Sequence, residues 1–199
     1  MTRHPTVTTE IKIELTMRDL IEADYRRWSS TPGNWSKYIH KALTRDGFRA
    51  IFLHRLGVWC QKHNHRFLAW LTLRLMHHTC HCWIHLNADI GPGFLIAHVG
   101  AIGIGDGARI GSNCDIRRNC SIGGNFNKVG EDGRTKPWIG DNVSIGINAV
   151  ITGPVRVGSN SIIGANSVVN RDVPENVIVF GVPAKVVKER WSAEEGRRL

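Results

Sequence analysis

The nine residues His77 to His85, HHTCHCWIH, hold four histidines and two cysteines. Histidine and cysteine are the usual zinc ligands. On a helix, His77, His81 and His85 would share one face. Two features argue against a metal. Cys80, His81 and Cys82 are consecutive, so their side chains diverge. The distant second cysteine pair of a structural zinc site is also absent. We therefore expect no metal here, and read the segment as a helix end meeting the next element. Cys114 and Cys120 recur in a six-residue register and Cys60 lies on an apolar helical stripe, the pattern of buried free thiols rather than nucleophiles. That leaves His98, in LIAHVG. An imidazole near its operating pH can take a proton and give it back. A rigid surface built from repeats would hold such a group accurately.

The elements that position His98 are legible as a repeat. Aliphatics fall every six residues at Ile84, Ile90, Ile96 and Ile102. The register slips by two and runs on through Ile104, Ile110, Ile116 and Ile122. After a polar, Gly-rich insertion at about 124–137 it resumes at Ile139, Ile145, Ile151, Val157, Ile163 and Val169. Four residues after most of these aliphatics stands a small or β-branched residue, such as Ala108, Cys114, Cys120, Ala149 or Ser167. Three short strands per coil would make a triangular prism with one aliphatic per face stacked inward, and Gly and Asn turning the corners. A single hexad cannot bury its face alone, so stacked neighbours form the core. The expected fold class is mainly β: a left-handed parallel β-helix of about five coils with an N-terminal α-helical region. Long helical patterns between strands, which a doubly wound α/β fold needs, are missing.

Upstream, apolar residues recur at helical spacing over 17–28, 48–60 and from Phe67 through Leu75. Their stripes are expected to cover one end of the β-helix. The expected divisions are a helical region at 1–82, the β-helix at 83–186 and a tail at 187–199, with 186–198 read as a short charged helix. The net charge of +9 is concentrated upstream: residues 1–86 carry 13 Lys+Arg against 6 Asp+Glu, and 87–199 carry 13 against 11. A solvated basic face explains this; a peripheral membrane contact is the alternative. No secretory signal or spanning segment is visible, since acidic residues interrupt the first 20 positions and Arg74 interrupts the most apolar stretch. Five cysteines without a disulfide framework fit a cytoplasmic location.

The segments LIAHVGAIGIG, NCSIGG, PWIGDNVSIGINAVITG, IGANSVV and FGVPAKVV resemble the serine acetyltransferase family of hexapeptide-repeat acyltransferases, including its polysaccharide O-acetyltransferase relatives. The resemblance covers residues 83–187. It implies a homotrimer with active sites in clefts between subunits and acetyl-CoA as co-substrate; no nucleic-acid partner is expected. It implies that His98 is the general base. Backbone N–H groups at Gly123 and Gly124 match the segment at the thioester end, where they would stabilise the oxyanion. Ile147, Ala165, Gly181 and Pro183 match the lining of the CoA groove, and Lys185 is a candidate for its phosphates.

Several positions depart from the family pattern. Trp83 stands where the family has an Asp that orients the base. Lys136 stands where a second active-site His precedes Pro137, and Ala97 replaces an Asp beside the base. Asp115 or a backbone carbonyl is left to orient His98. These departures favour a bulkier acceptor than serine, a sugar of a surface polysaccharide precursor, with Trp83, Lys136 and Trp138 on its side of the site. The alternatives are serine O-acetylation and a non-catalytic β-helix scaffold. A metal-dependent β-helix enzyme would need several histidines across the coils, where only His98 is available.

Overall fold

A computed structural model describes residues 15–126 and 128–190 of the 199-residue chain. Four helices come first: α1 (Met17–Arg26), α2 (Trp35–Thr44), α3 (Asp46–Lys62) and α4 (Arg66–Cys80). A left-handed parallel β-helix follows. Face A stacks β1 (Cys82–Ile84), β4 (Ile102–Ile104), β7 (Ser121–Gly123), β10 (Val150–Thr152) and β13 (Val168–Val169). Face B stacks β2 (Asp89–Ile90), β5 (Arg109–Ile110), β8 (Trp138–Ile139) and β11 (Arg156–Val157). Face C stacks β3 (Leu95–Ile96), β6 (Asp115–Ile116), β9 (Ser144–Ile145), β12 (Ile162–Ile163) and β14 (Val177–Phe180).

The fourteen in-register aliphatics are all buried. The small residue two positions before an inward aliphatic is buried with it, as in Cys114/Ile116, Cys120/Ile122 and Ala149/Ile151. Residues i and i+2 of a strand share a face, so the pair fills one corner of the prism. Each inward Ile contributes about 1.5–3 kcal/mol through its burial. Coils lie so close that a Cβ on Gly146 would sit 2.7 Å from the Ala165 nitrogen and 2.8 Å from the Gly164 carbonyl carbon.

Two columns of asparagines turn the corners. Asn142, Asn160 and Asn176 have φ near +58° between faces B and C, and Asn148 and Asn166 do the same between C and A. Their amides form ladders at 2.9–3.1 Å, Asn142 to Asn160 to Asn176 and Asn148 to Asn166. Asparagine tolerates the left-handed region, and each amide here also bonds the asparagine of an adjacent coil.

The helices close the first coil, as their apolar stripes predict. α3 packs on β3 and α4 on β1. Closure is also ionic. Arg55 donates to Asp24 and to the carbonyls of Ile90 and Gly91, while Asp24 accepts from the Phe94 N–H at 2.8 Å. The first coil has no coil beneath it, so these backbone groups need side-chain partners.

Three expectations change. α2 was not anticipated; its apolar residues Trp35, Ile39 and Leu43 face solvent, while Tyr38 and Ala42 are buried. The first helix ends at Arg26 rather than continuing through Trp28. At the C-terminal end, the expected charged helix from residue 186 is instead a strand, β15 (Lys185–Glu189), antiparallel to β14. The edge of β14 offers unpaired backbone groups, and pairing with them outweighs weak helical propensity in KVVKE. Residues 191–198 of that segment lie outside the described residues.

Candidate active site

The prism has three edges, and the candidate residues sort onto them. His98 lies between β3 and β4, on the edge where face C passes to face A. Ile147 and Ala165 occupy the same edge in later coils, and the Gly181–Pro183 turn follows β14 there. One edge therefore carries His98, Ile147, Ala165 and Gly181 in a column along the axis. Gly181 adopts φ +103°, and its N–H donates to Ser167 Oγ at 3.2 Å. Lys185 begins β15 beside Phe180 and is exposed.

The register slip in the sequence belongs to the His98 corner. Ile84 pairs with Ile104, Ile90 with Ile110 and Ile96 with Ile116, a coil of 20 residues. The next coil, Ile104 to Ile122, takes 18. The two extra residues fall between Ile96 and Ile102, so five residues round this corner where Ile116 to Cys120 uses three. Gly100 at φ +114° and Ala101 at φ +48° make the longer turn. Ile102 then takes the position that Cys82 and Cys120 hold in adjacent coils. Strain at a non-glycine residue such as Ala101 is characteristic of functional corners. His98 projects from it with its ring exposed.

Among the described residues no hydrogen bond joins the proposed orienter, Asp115, to His98. Asp115 pairs with Leu95 in the ladder, three residues before His98. Its Oδ1 accepts from Ser144 Oγ at 2.8 Å and its Oδ2 from Arg117 at 3.3 Å. Both oxygens are thus engaged along face C.

Lys136 and Trp138 sit elsewhere. The 124–137 loop leaves from the edge between faces A and B. Lys136 crosses that edge, with its Nζ 3.0 Å from where a Gly124 Cβ would stand and its Cγ 3.4 Å from a Cβ on Gly107. Gly123 ends β7 on the same edge, and a Cβ there would meet open space. Trp138 lies on face B under three guanidiniums, Arg109, Arg134 and Arg156, at 4.6, 5.1 and 5.5 Å from its ring. Asp132 accepts from Arg134 and Arg156, which hold its carboxyl well below the usual carboxylate range. Trp138 is therefore part of an arginine stack. Sequence reasoning passed over this cluster, although Arg109, Trp138 and Arg156 each precede an inward aliphatic of face B.

Trp83 projects from face A beside Gly103, with its ring edge-on to His77 at 5.4 Å. The rest of the opening cluster disperses. His81 is the left-handed cap of α4, Cys80 and Cys82 are buried, and His85 Nδ1 is 3.3 Å from Asp106. Among the described residues no group of three His, Cys, Asp or Glu side chains is set to hold a metal. The Cys114 and Cys120 thiols donate to the Gly140 and Gly146 carbonyls at 3.1 and 2.9 Å. Burial pushes both thiols up, Cys114 to about 11, so neither is a thiolate near neutrality.

A left-handed parallel β-helix built of hexapeptide coils, with an exposed histidine on a widened corner and Ile147, Ala165 and Gly181 following it along one edge, has the architecture of the hexapeptide-repeat transferases. Residues 136–171 match the family described as bacterial transferase hexapeptide (six repeats). The Mycobacterium tuberculosis serine acetyltransferase is 36% identical over 150 residues, 75% of this chain and 64% of its own length. Among solved structures, the Neisseria gonorrhoeae serine acetyltransferase superposes with a TM-score of 0.77 at 33% identity, covering 92% of this chain and 70% of that one. The Brucella abortus serine acetyltransferase in complex with Coenzyme A gives 0.73 at 32%, covering 89% and 68%. The chain belongs to the serine acetyltransferase family, and it spans about two thirds of the length of these relatives.

Proposed function

We propose that the protein is an acetyl-CoA-dependent O-acetyltransferase in which His98 is the general base. The observation that carries this reading is the column of His98, Ile147, Ala165 and Gly181 along one edge. Such a column suits an extended thioester donor lying parallel to the axis with its acetyl end at the imidazole. His98 takes the proton of the acceptor hydroxyl as that oxygen attacks the thioester carbonyl carbon. The tetrahedral oxyanion is met by backbone N–H groups at Gly123 and Gly124. Its collapse breaks the C–S bond, and His98 returns the proton to the departing CoA sulfur. The acetyl ester and free CoA thiol leave.

In one chain face A separates the His98 edge from the edge of Gly123, Gly124 and Lys136. This separation supports a homotrimer in which the 124–137 loop of one copy faces the His98 edge of the next. Ile147, Ala165, Gly181, Pro183 and Lys185 line the donor side of that cleft in this reading.

The relatives favour L-serine as acceptor over the sugar that the sequence departures point to. The sugar reading keeps one specific support: Trp83, Ala97 and Lys136 replace acidic and histidine residues that the family pattern places around serine. Purified protein with acetyl-CoA and either L-serine or a panel of sugars, followed by release of free thiol, separates the two. Turnover with serine and none with sugars establishes the serine reading, and the reverse establishes the other. No thiol release with any acceptor, together with no CoA binding by calorimetry, would leave a non-catalytic scaffold.

A further inference from the structure

Helix α4 turns an aromatic side to solvent. Phe67 is 70% exposed and Trp70 50%, and their rings stack with centroids 5.8 Å apart. The Arg74 guanidinium lies 5.6 Å over the Trp70 ring. Positions 67, 70 and 74 share one helix side, and Leu68 and Leu75 are exposed beside them. The opposite side buries Ala69, Met76 and Cys80. At the hairpin leading into α4, exposed Trp59 stacks on His63 at 4.3 Å.

The charge around this row has one sign. Residues 28–88 hold eight Lys and Arg but a single acid, Asp46, which is paired to Arg49 at 3.0 Å. α4 itself contains no acidic residue, and Lys62 and Arg66 flank the hairpin. A contiguous exposed aromatic row of this kind marks a contact surface.

We propose that α4 docks in the plane of an anionic lipid surface. Phe67, Leu68, Trp70 and Leu75 enter the boundary between headgroups and acyl chains, and Lys62, Arg66 and Arg74 meet lipid phosphates. Charge decides between lipid and a second copy of the chain. A second copy would present the same face, which holds Lys62, Arg66 and Arg74 and no acid on α4, so these cations would meet no opposite charge there. Lipid phosphate supplies the opposite sign, and Trp with Arg and Lys is the side-chain set of membrane interfaces. Among the described residues no helix is long and apolar enough to cross a membrane, so the contact is with the surface.

Sedimentation of the full chain with vesicles tests this. Phosphatidylcholine vesicles containing phosphatidylglycerol should bind about tenfold or more tightly than phosphatidylcholine alone, and salt should weaken the preference. Phe67→Ser with Trp70→Ser should lower vesicle binding at unchanged charge. Lys62→Gln, Arg66→Gln and Arg74→Gln together should remove the preference for the anionic lipid. Both sets lie outside the proposed active site, so thiol release in solution should persist and would report intact folding. Equal binding to both vesicle types, or none, overturns the proposal. So does a drop in assembly mass of the Phe67→Ser, Trp70→Ser variant by light scattering with vesicle binding unchanged, which assigns the row to a second copy.

Discussion

Arg55 and Asp24 meet beneath the first coil, Nε to Oδ2 at 2.9 Å, with both side chains almost wholly buried. The pair joins α1 to α3 and carries the unpaired backbone of β2 and the turn before β3. Removing Arg55 alone leaves a buried carboxylate and two unpaired carbonyls. Arg55→Leu should cost about 3–5 kcal/mol in urea unfolding. Arg55→Lys keeps the charge without the planar fork and should fall between.

His98→Ala should lower thiol release from acetyl-CoA by about 10²–10⁴-fold. Calorimetric CoA binding and the unfolding midpoint should hardly change, because the exposed ring makes no hydrogen bond among the described residues. Full activity in this variant would remove the proposed mechanism.

Ala165 is exposed on the His98 edge. Ala165→Trp should raise the KM for acetyl-CoA with little effect on folding if the donor lies along that column. An unchanged KM would move the donor to another edge.

His54 is buried between α3 and the first coil, where it donates from Nε2 to the His85 carbonyl at 3.2 Å. Burial and the neighbouring Arg55 push its imidazole down to about 3. The folded state therefore holds it neutral, while the unfolded chain protonates it below about 6.5. The unfolded state binds the extra proton between those values, so stability is complete above about pH 6.5 and declines as pH falls toward 3. The slope is about 1.4 kcal/mol per pH unit from this residue. Urea midpoints measured from pH 7 to 5 should show it, and His54→Gln should flatten the curve even if it lowers the midpoint.

Asn160 sits in the middle of a corner ladder at φ +58°. Asn160→Ala adds left-handed backbone strain of about 1–2 kcal/mol to the loss of two amide bonds. Asn160→Gly keeps the backbone relaxed and should recover roughly half of that loss, as read from thermal unfolding.

Much of the fold was legible because a hexad repeats one local decision many times. Each inward Ile, corner Asn and small partner reinforces the next, so the pattern from Ile84 to Val169 gives the coils directly. The helices were less so. In α2, Trp35, Tyr38, Ile39, Ala42 and Leu43 do recur at helical spacing, but sequence reasoning passed over them, and the stripe alone would have misassigned the face: only Tyr38 and Ala42 are buried, while Trp35, Ile39 and Leu43 are exposed. The KVVKE segment became a strand because β14 had a free edge, which nothing in those five residues records.

The sequence by itself determined the β-helix and the repeat of its core, since periodicity and residue type are local properties, and it singled out His98 as a candidate base. Tertiary structure decided the rest. It moved the slip of two residues, which the sequence shows after Ile102, to the His98 corner before it, engaged Asp115 with Ser144 and Arg117, and put Trp138 under three arginines. It also separated the His98 edge from the Gly124–Lys136 edge by a whole face of the prism. Which residues share an edge depends on how many residues round each corner, and that count is fixed only when the coils stack.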